Sequence, residues 1–348
     1  MSEPAAIKLS VLDVAPVWRG SSQAQALRDT LQLAPKVEGL GYHRYWVAEH
    51  HNTLSIASSS PPVLVAEIAN ATSTLRVGSG GVLLPNHPTL VVAEQFGMLE
   101  VLHPGRIDLG LGRAPGTDPL TALVLRRPTG GGGDFRQQIA ELEGYFGDDG
   151  AGDDPERQVV AVPARGHRPA IWVLGSSPAS ARLAAELGMP YAFAHHIAPQ
   201  NAVQSLNLYR QEFRPSAALA QPYSIIASSV IVADSDERAR WLAAPLAVTS
   251  LQLRTTGTSS PMLPPAEAVD YPFTPFERQV IGEGSGRHLV GDPDTVGRAV
   301  RDLLAAARAD ELMALTTVHD PVARLRSYEL LTEIVPLAAP SLAGDAGD

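Results

Sequence analysis

The chain has 348 residues, 45% of them hydrophobic and 18% charged, enough for a large core in one big domain or two ordinary ones. A net charge of −10 argues against a general nucleic-acid or anionic-membrane surface, while leaving room for one local basic pocket. Without cysteine, disulfides and thiol catalysis are excluded. The first eight residues show no basic segment leading into an apolar core, and no apolar run is long enough to cross a bilayer, so a cytoplasmic protein is expected.

Residues 7–15 alternate as a strand does and stop at Pro16. Ser21 or Ser22 is placed to cap a helix through Leu27, Leu31, Ala34 and Val37, closed by Gly39 and Gly41. A second strand over 44–49 ends in His50, His51 and Asn52, and Pro61-Pro62 opens a helix over 64–71. Residues 75–84 are a third strand interrupted by Gly78, Gly80 and Gly81, where a bulge or the close approach of a ligand is expected. An amphipathic helix over 89–102 ends at Pro104-Gly105.

The stretch from Arg106 to Gly116 follows. Ile107, Leu109 and Leu111 alternate, and then Gly112, Arg113, Ala114, Pro115 and Gly116 break the pattern. A strand ending in small residues and one arginine suggests an opening onto a site, where the guanidinium can fork onto a phosphate. An ordinary turn with Arg113 in solvent accounts for the same residues.

Beyond it, residues 130–133 and 147–156 are expected as surface loops around a short helix over 135–145, with a hairpin at 158–162. Strands are then expected over 170–174, 191–194, 224–233 and 312–318. The expected helices cover 179–187, 202–213, 235–253 (broken near Pro245), 293–309 and 322–337, and 255–286 is a second irregular insertion. Eight strands, nearly all followed by a helix, favour a (β/α)₈ TIM barrel over an open doubly wound sheet, whose glycine fingerprint is missing after the first strand. Residues 1–340 are read as one barrel domain with insertions near 117–165 and 255–290, and 341–348 as a flexible tail.

In a barrel the C-terminal strand ends gather on one face. This would bring together His50, His51, Gly80, Gly81, Arg113, Ser176, Ser177, His195 and His196. Ser176 and Ser177 precede a helix that starts near Pro178. They serve either as simple caps or, with Arg113, as a phosphate cup at a helix N-terminus. Glu49, His50 and His51 offer a general base or hydrogen-bond donors, but no third ligand has the spacing of a zinc site, so no metal is expected.

Five stretches together resemble the luciferase-like flavin monooxygenase family, the bacterial luciferase superfamily, in its alkanal-monooxygenase-like branch. They are Trp-Val-Ala-Glu-His-His-Asn at 46–52, Val-Gly-Ser-Gly-Gly-Val-Leu-Leu-Pro at 77–85 and Ala-Glu-Gln at 93–95. The other two are Leu-His-Pro-Gly-Arg-Ile-Asp-Leu-Gly-Leu-Gly-Arg at 102–113 and Leu-Gly-Ser-Ser at 174–177. The resemblance implies a TIM barrel that binds FMN at its C-terminal mouth. Arg113, Ser176 and Ser177 match the family's phosphate contacts. Gly80-Gly81 matches its non-prolyl cis peptide beneath the flavin ring, and His50 the histidine that light-emitting members use as a base. His51 and His196 are further candidates for the cofactor site. Gly112 and Gly175 stand where light-emitting members carry a cysteine and an acidic residue, which speaks against light emission.

The implied enzyme is an FMN-dependent monooxygenase that takes FMNH₂ from a separate NAD(P)H:flavin reductase and oxidises a small organic substrate with O₂. An F420-dependent hydride-transfer enzyme and a non-catalytic flavin-binding protein are the alternatives on the same barrel. A homodimer is implied as well, with the helices over 63–71 and 89–102 as candidate interface, and the insertions as lids that select the substrate.

Overall fold

The computed structural model describes residues 7–125, 134–147, 159–257, 259–282 and 288–335. Strands β1 (Lys8–Asp13), β2 (Arg44–Val47), β3 (Arg76–Leu83), β4 (Ile107–Gly112), β5 (Ala170–Gly175), β6 (Tyr191–Ala194) and β7 (Ser224–Val232) pair in parallel, each with the next. β7 then pairs with β9 (Glu311–Leu315), and β9 with β1, closing an eight-stranded barrel. One further strand, β8 (His288–Gly291), pairs with β7 through residues 229–232 and was not expected from the sequence. Four residues are too few for a strand period to declare itself.

Long helices surround the barrel. They are α1 (Gln23–Gly39), α2 (Pro61–Ala71), α3 (Thr89–Leu102), α6 (Pro178–Leu187), α7 (Ala202–Glu212), α8 (Asp236–Thr256), α11 (Pro293–Ala307) and α12 (Pro321–Ile334). The first insertion carries α4 (Pro119–Val124) and α5 (Phe135–Phe146), and the second carries α9 (Pro265–Ala268) and α10 (Pro275–Gly282). Ser22 is the cap of α1, its side chain accepting from the Gln25 amide. The expected break at Pro245 does not occur. α8 runs through that residue, and Thr249 Oγ1 donates to the Pro245 carbonyl at 3.1 Å. The expected hairpin at 158–162 is corrected as well: residues 159–162 form no strand, Gln158 lies outside the described residues, and Val162 leads into a cis Pro163. Residues 130–133, 148–156 and the tail 341–348 also lie outside them.

Alternation along the strands sorts the core into two layers. Ile107, Leu109 and Leu111 face the helices and belong to the large apolar cluster there. Leu12, Trp46, Trp172, Ile225, Ala227 and Met313 fill the barrel itself. Glycines on β3 and β4 leave no room for a side chain where the two strands approach. A Cβ on Gly78 would lie 2.3 Å from the Asp108 carbonyl oxygen, and one on Gly110 would lie 2.2 Å from that of Ser79.

Charges close the barrel floor. Arg44 Nη1 and Nε reach Asp108 Oδ2 at 2.7 Å and Glu311 Oε1 at 2.8 Å, and Arg76 holds the other Asp108 oxygen at 2.6 Å. Trp46 Nε1 donates to Asp108 Oδ2 at 2.9 Å and the Tyr223 hydroxyl to Glu311 Oε2 at 2.8 Å, so few polar atoms at the floor are left unsatisfied. Burial disfavours the Asp108 carboxylate, but the two arginines outweigh it and hold the group below the usual carboxylate range. With the floor sealed, the opening is left at the other end, where the strands' C-termini lie.

Candidate active site

A cavity of about 1140 Å³ occupies that mouth. It exceeds the roughly 300–1,000 Å³ of ordinary ligand sites, which is room for a cofactor and a second molecule. Gly80, Gly81, Arg113, Ser176, Ser177 and His50 all line it, and so does His196. His51 and His195 do not. His51 Nε2 is turned to Glu49 Oε1 at 2.8 Å, and His195 is buried with Nδ1 3.0 Å from Ser228 Oγ. Adjacent residues leaving a strand point to opposite sides, so each pair of histidines splits, with one ring to the cavity and one to the shell.

The glycine side of the cavity is shaped by close approach. The Gly80–Gly81 peptide is cis, and the pairing of β3 with β4 shifts register between Gly80 and Val82, the expected bulge. A Cβ on Gly80 would stand 2.7 Å from Leu12 Cδ1, and one on Gly81 would stand 2.7 Å from the Gly110 carbonyl oxygen. Gly175 is equally confined, since a Cβ there would fall 2.0 Å from Ser180 Oγ.

Ser177 caps α6. Its Oγ accepts from the Ser180 amide at 3.4 Å, Ser180 Oγ contacts the Tyr191 hydroxyl at 2.9 Å, and Asn201 Nδ2 holds the Ser176 carbonyl at 3.2 Å. The cap fixes the loop and directs the positive end of the helix dipole at the cavity. Arg113, exposed at the end of β4, lines the same cavity.

Glu49 is the residue whose role the sequence did not disclose. Only 2% exposed, it accepts from His51 Nε2 at 2.8 Å, His87 Nε2 at 2.9 Å, the Leu83 amide at 3.0 Å and Asn86 Nδ2 at 3.3 Å. Burial alone would raise its carboxyl, and the bonds from His51, His87 and the Leu83 amide outweigh this, lowering it to about 2. It therefore ties the end of β2, and with it His50, to the end of β3. A glutamate beside two histidines carried no spacing signal because its partners Leu83 and His87 come from the end of β3 and the turn after it.

His50 donates its amide to the Ser58 carbonyl at 3.0 Å, but its Nδ1 is buried with no hydrogen-bond partner. Burial, and secondarily the neighbouring His196, lowers the imidazole from 6.5 to about 4. At neutral pH it is an uncharged ring able to accept a proton. Since the folded state holds this proton only below about 4, and the unfolded chain from about 6.5, His50 lowers stability as pH falls through that window. The His50→Gln variant should therefore lose about 1–2 kcal/mol less than the parent between pH 7 and pH 5, read from urea midpoints. Equal losses would show that His50 titrates normally. Among the described residues, no group of three or more His, Cys, Asp or Glu side chains could hold a metal ion, and no helix is long and apolar enough to cross a membrane.

Residues 7–311 match the family model of the luciferase-like monooxygenases. A luciferase-like monooxygenase of Escherichia coli strain K12 is 44% identical over 329 residues, 94% of this chain and 97% of that protein. Apo-MsnO8, a solved structure, is 36% identical with a TM-score of 0.86, covering 96% of this chain and 98% of its own. Two solved structures below 25% identity share the fold. They are the oxygenating constituent of 3,6-diketocamphane monooxygenase of Pseudomonas putida in complex with FMN (19% identical, TM-score 0.69, covering 96% of this chain and 100% of its own) and an F420-dependent secondary alcohol dehydrogenase (12%, 0.68, covering 95% and 99%). With a family model that spans most of the barrel and a relative of this identity along its length, the chain belongs to the luciferase-like monooxygenase family of flavin-dependent enzymes.

Proposed function

We propose that the chain is the oxygenating component of a two-component system in the cytoplasm, taking reduced FMN from a separate NAD(P)H:flavin reductase and oxidising a small organic substrate with O₂. The observation that carries this reading is the meeting, in one cavity, of Arg113 and the α6 N-terminus with the backbone of Gly80-Gly81 and the ring of His50.

The residues fit the cofactor. Arg113, Ser176, Ser177 and the α6 N-terminus would hold its phosphate. Gly80 and Gly81 present bare backbone, which suits a flat ring. Bound reduced flavin supplies the electrons with which O₂ is activated. The chain's own part is to exclude water, orient the substrate and move a proton at His50, whose Nδ1 lacks a partner. The second insertion supports the exclusion of water: Met262 bridges to Trp18, the Leu54 amide donates to the Ser259 carbonyl at 3.1 Å, and Met262 lines the cavity.

The homodimer belongs to the same proposal. α2 and α3 bury Leu64, Val65, Ile68, Val92 and Phe96 against the barrel, yet leave Val63, Met98 and Leu102 half or more exposed, an apolar face suited to a second copy.

Anaerobic titration with reduced FMN and with F420 tests the cofactor. Preferential binding of reduced FMN is expected, and preference for F420 would replace oxygenation by hydride transfer. Tight binding of FMN without substrate-dependent oxygen uptake would leave a flavin-binding protein. Arg113→Ala should weaken FMN binding about 10- to 100-fold, the scale of a charge-assisted hydrogen bond. Unchanged affinity would remove Arg113 from the phosphate site.

A further inference from the structure

Besides His50, the histidines lining the cavity are His196 and His288, and the charged side chains lining it are Glu49, Arg113, Asp134 and Arg136. Glu49 is engaged by His51 and His87, and Asp134 caps α5 by accepting from the Arg136 amide. His288 is exposed on β8, where bulk water reaches it. His196 is half-buried, and neither the cofactor contacts proposed above nor the proton uptake at His50 uses it.

The turn after β6 holds the His196 ring in one orientation. Its amide donates to the Ala227 carbonyl at 3.2 Å, and its Nδ1 donates to the same oxygen at 3.0 Å. Ala227 is the register partner of Ala194, the last residue of β6, so the ring is pinned to β7 where the two strands part. The neighbouring His195 is fixed to β7 as well, with Nδ1 3.0 Å from Ser228 Oγ. A carbonyl oxygen only accepts, so Nδ1 of His196 carries a hydrogen whether the ring is neutral or charged. The proton that this ring gains and loses is therefore the one on Nε2. Beside the larger effect of burial, a charge on His196 disfavours one on His50, so the two rings do not readily hold protons together.

We infer that His196 is a second catalytic residue, a general acid whose Nε2 gives a proton to the oxygen atom that leaves as water. The inference rests on the functional reading above, whose balance for a substrate S is FMNH₂ + O₂ + S → FMN + SO + H₂O. The electrons come from the reduced flavin, one oxygen atom enters S, and the other leaves with protons that the flavin gives up. In the step assigned to His196 the Nε2–H bond breaks and an O–H bond forms on the leaving oxygen. A neutral ring remains, with its lone pair on Nε2 and Nδ1 still donating to Ala227. His50 is suited to the opposite part, since a ring that burial keeps uncharged at neutral pH can take up a proton but has none to give.

Nitrogen-15 histidine spectra of the cofactor-free protein at pH 9, above the ordinary imidazole range, test the geometry. The His196 signals, identified by their absence in His196→Gln, should show the hydrogen on Nδ1, and a hydrogen on Nε2 or a ring still charged would overturn the assignment. Rapid mixing of the protein loaded with reduced FMN against O₂, with no substrate added, tests the chemistry. The balance is then FMNH₂ + O₂ → FMN + H₂O₂, which also needs a proton on the leaving oxygen. His196→Gln should slow the return of FMN about tenfold or more with FMN affinity unchanged, because an amide can donate to Ala227 but cannot hand on a proton. Added imidazole should restore part of the rate in His196→Ala and none in His196→Gln, whose side chain fills the place. A parent-like rate in His196→Gln, an equal loss of FMN affinity, or a loss in His196→Ala that imidazole leaves untouched would overturn the catalytic role. If reduced FMN does not bind the parent, the functional reading fails, while the spectra still decide which nitrogen of His196 carries the hydrogen.

Discussion

Replacing His50 with alanine should lower turnover with reduced FMN by about 10²–10⁴-fold, the range that positioned proton transfer contributes, while the affinity for FMN stays close to the parent's. Three features of the ring separate it from a merely structural histidine. It lines the cavity, its Nδ1 is unpartnered, and burial keeps it neutral to about pH 4, so a proton acceptor is present across the physiological range. Its backbone is held independently of its side chain, through the amide bond to Ser58 and through the anchoring of Glu49 to β3, so removal of the ring should leave the strand end in place. Rapid-mixing turnover beside equilibrium flavin titration separates the two effects. Parent-like turnover would return His50 to a packing role, and an equal loss in FMN affinity would make it a binding residue.

The largest stability effect is expected at Arg324 on α12. Its Nη2 donates to Asp13 Oδ1 at 2.8 Å and its Nε to the Thr316 carbonyl at 2.8 Å, with both charged side chains buried. Asp13 also accepts from Thr30 of α1 at 2.8 Å, from Tyr45 of β2 and from the Ala15 amide at 2.9 Å, so the pair joins β1 and β2 to α1 and α12. Burial raises the Asp13 carboxyl, and Arg324 with the hydroxyl donors more than reverses that shift. Arg324→Met leaves Asp13 buried without its counter-charge, and about 3–5 kcal/mol of stability should be lost. Urea unfolding measures it. Asp13→Asn in the same background should recover part of the loss, because it is the stranded charge, not the missing contact, that costs most. A loss below about 1 kcal/mol would show that water reaches the pair.

How much of this was legible in the sequence follows from the range of each signal. The eight barrel strands and the long helices were readable because alternation, caps and prolines act within one element, as Ser22 before α1 and Pro61 at the start of α2 illustrate. Gly80-Gly81, Arg113 and Ser176-Ser177 were readable as strand-end features once a barrel was expected, since its topology brings such ends to one face. Other features depended on residues distant in the chain. The split of His50 from His51 and of His195 from His196 needed the direction in which each strand leaves the barrel. Glu49 needed Leu83 at the end of β3 and His87 just after it, and the floor needed Arg44, Asp108 and Glu311 from three strands. The sequence by itself determined which segments become strands and helices, and that their ends hold histidines, glycines and an arginine. Only the tertiary structure decided which side chains enter the cavity and which charges pair, because burial and hydrogen bonding across strands far apart in the chain leave no local periodic trace.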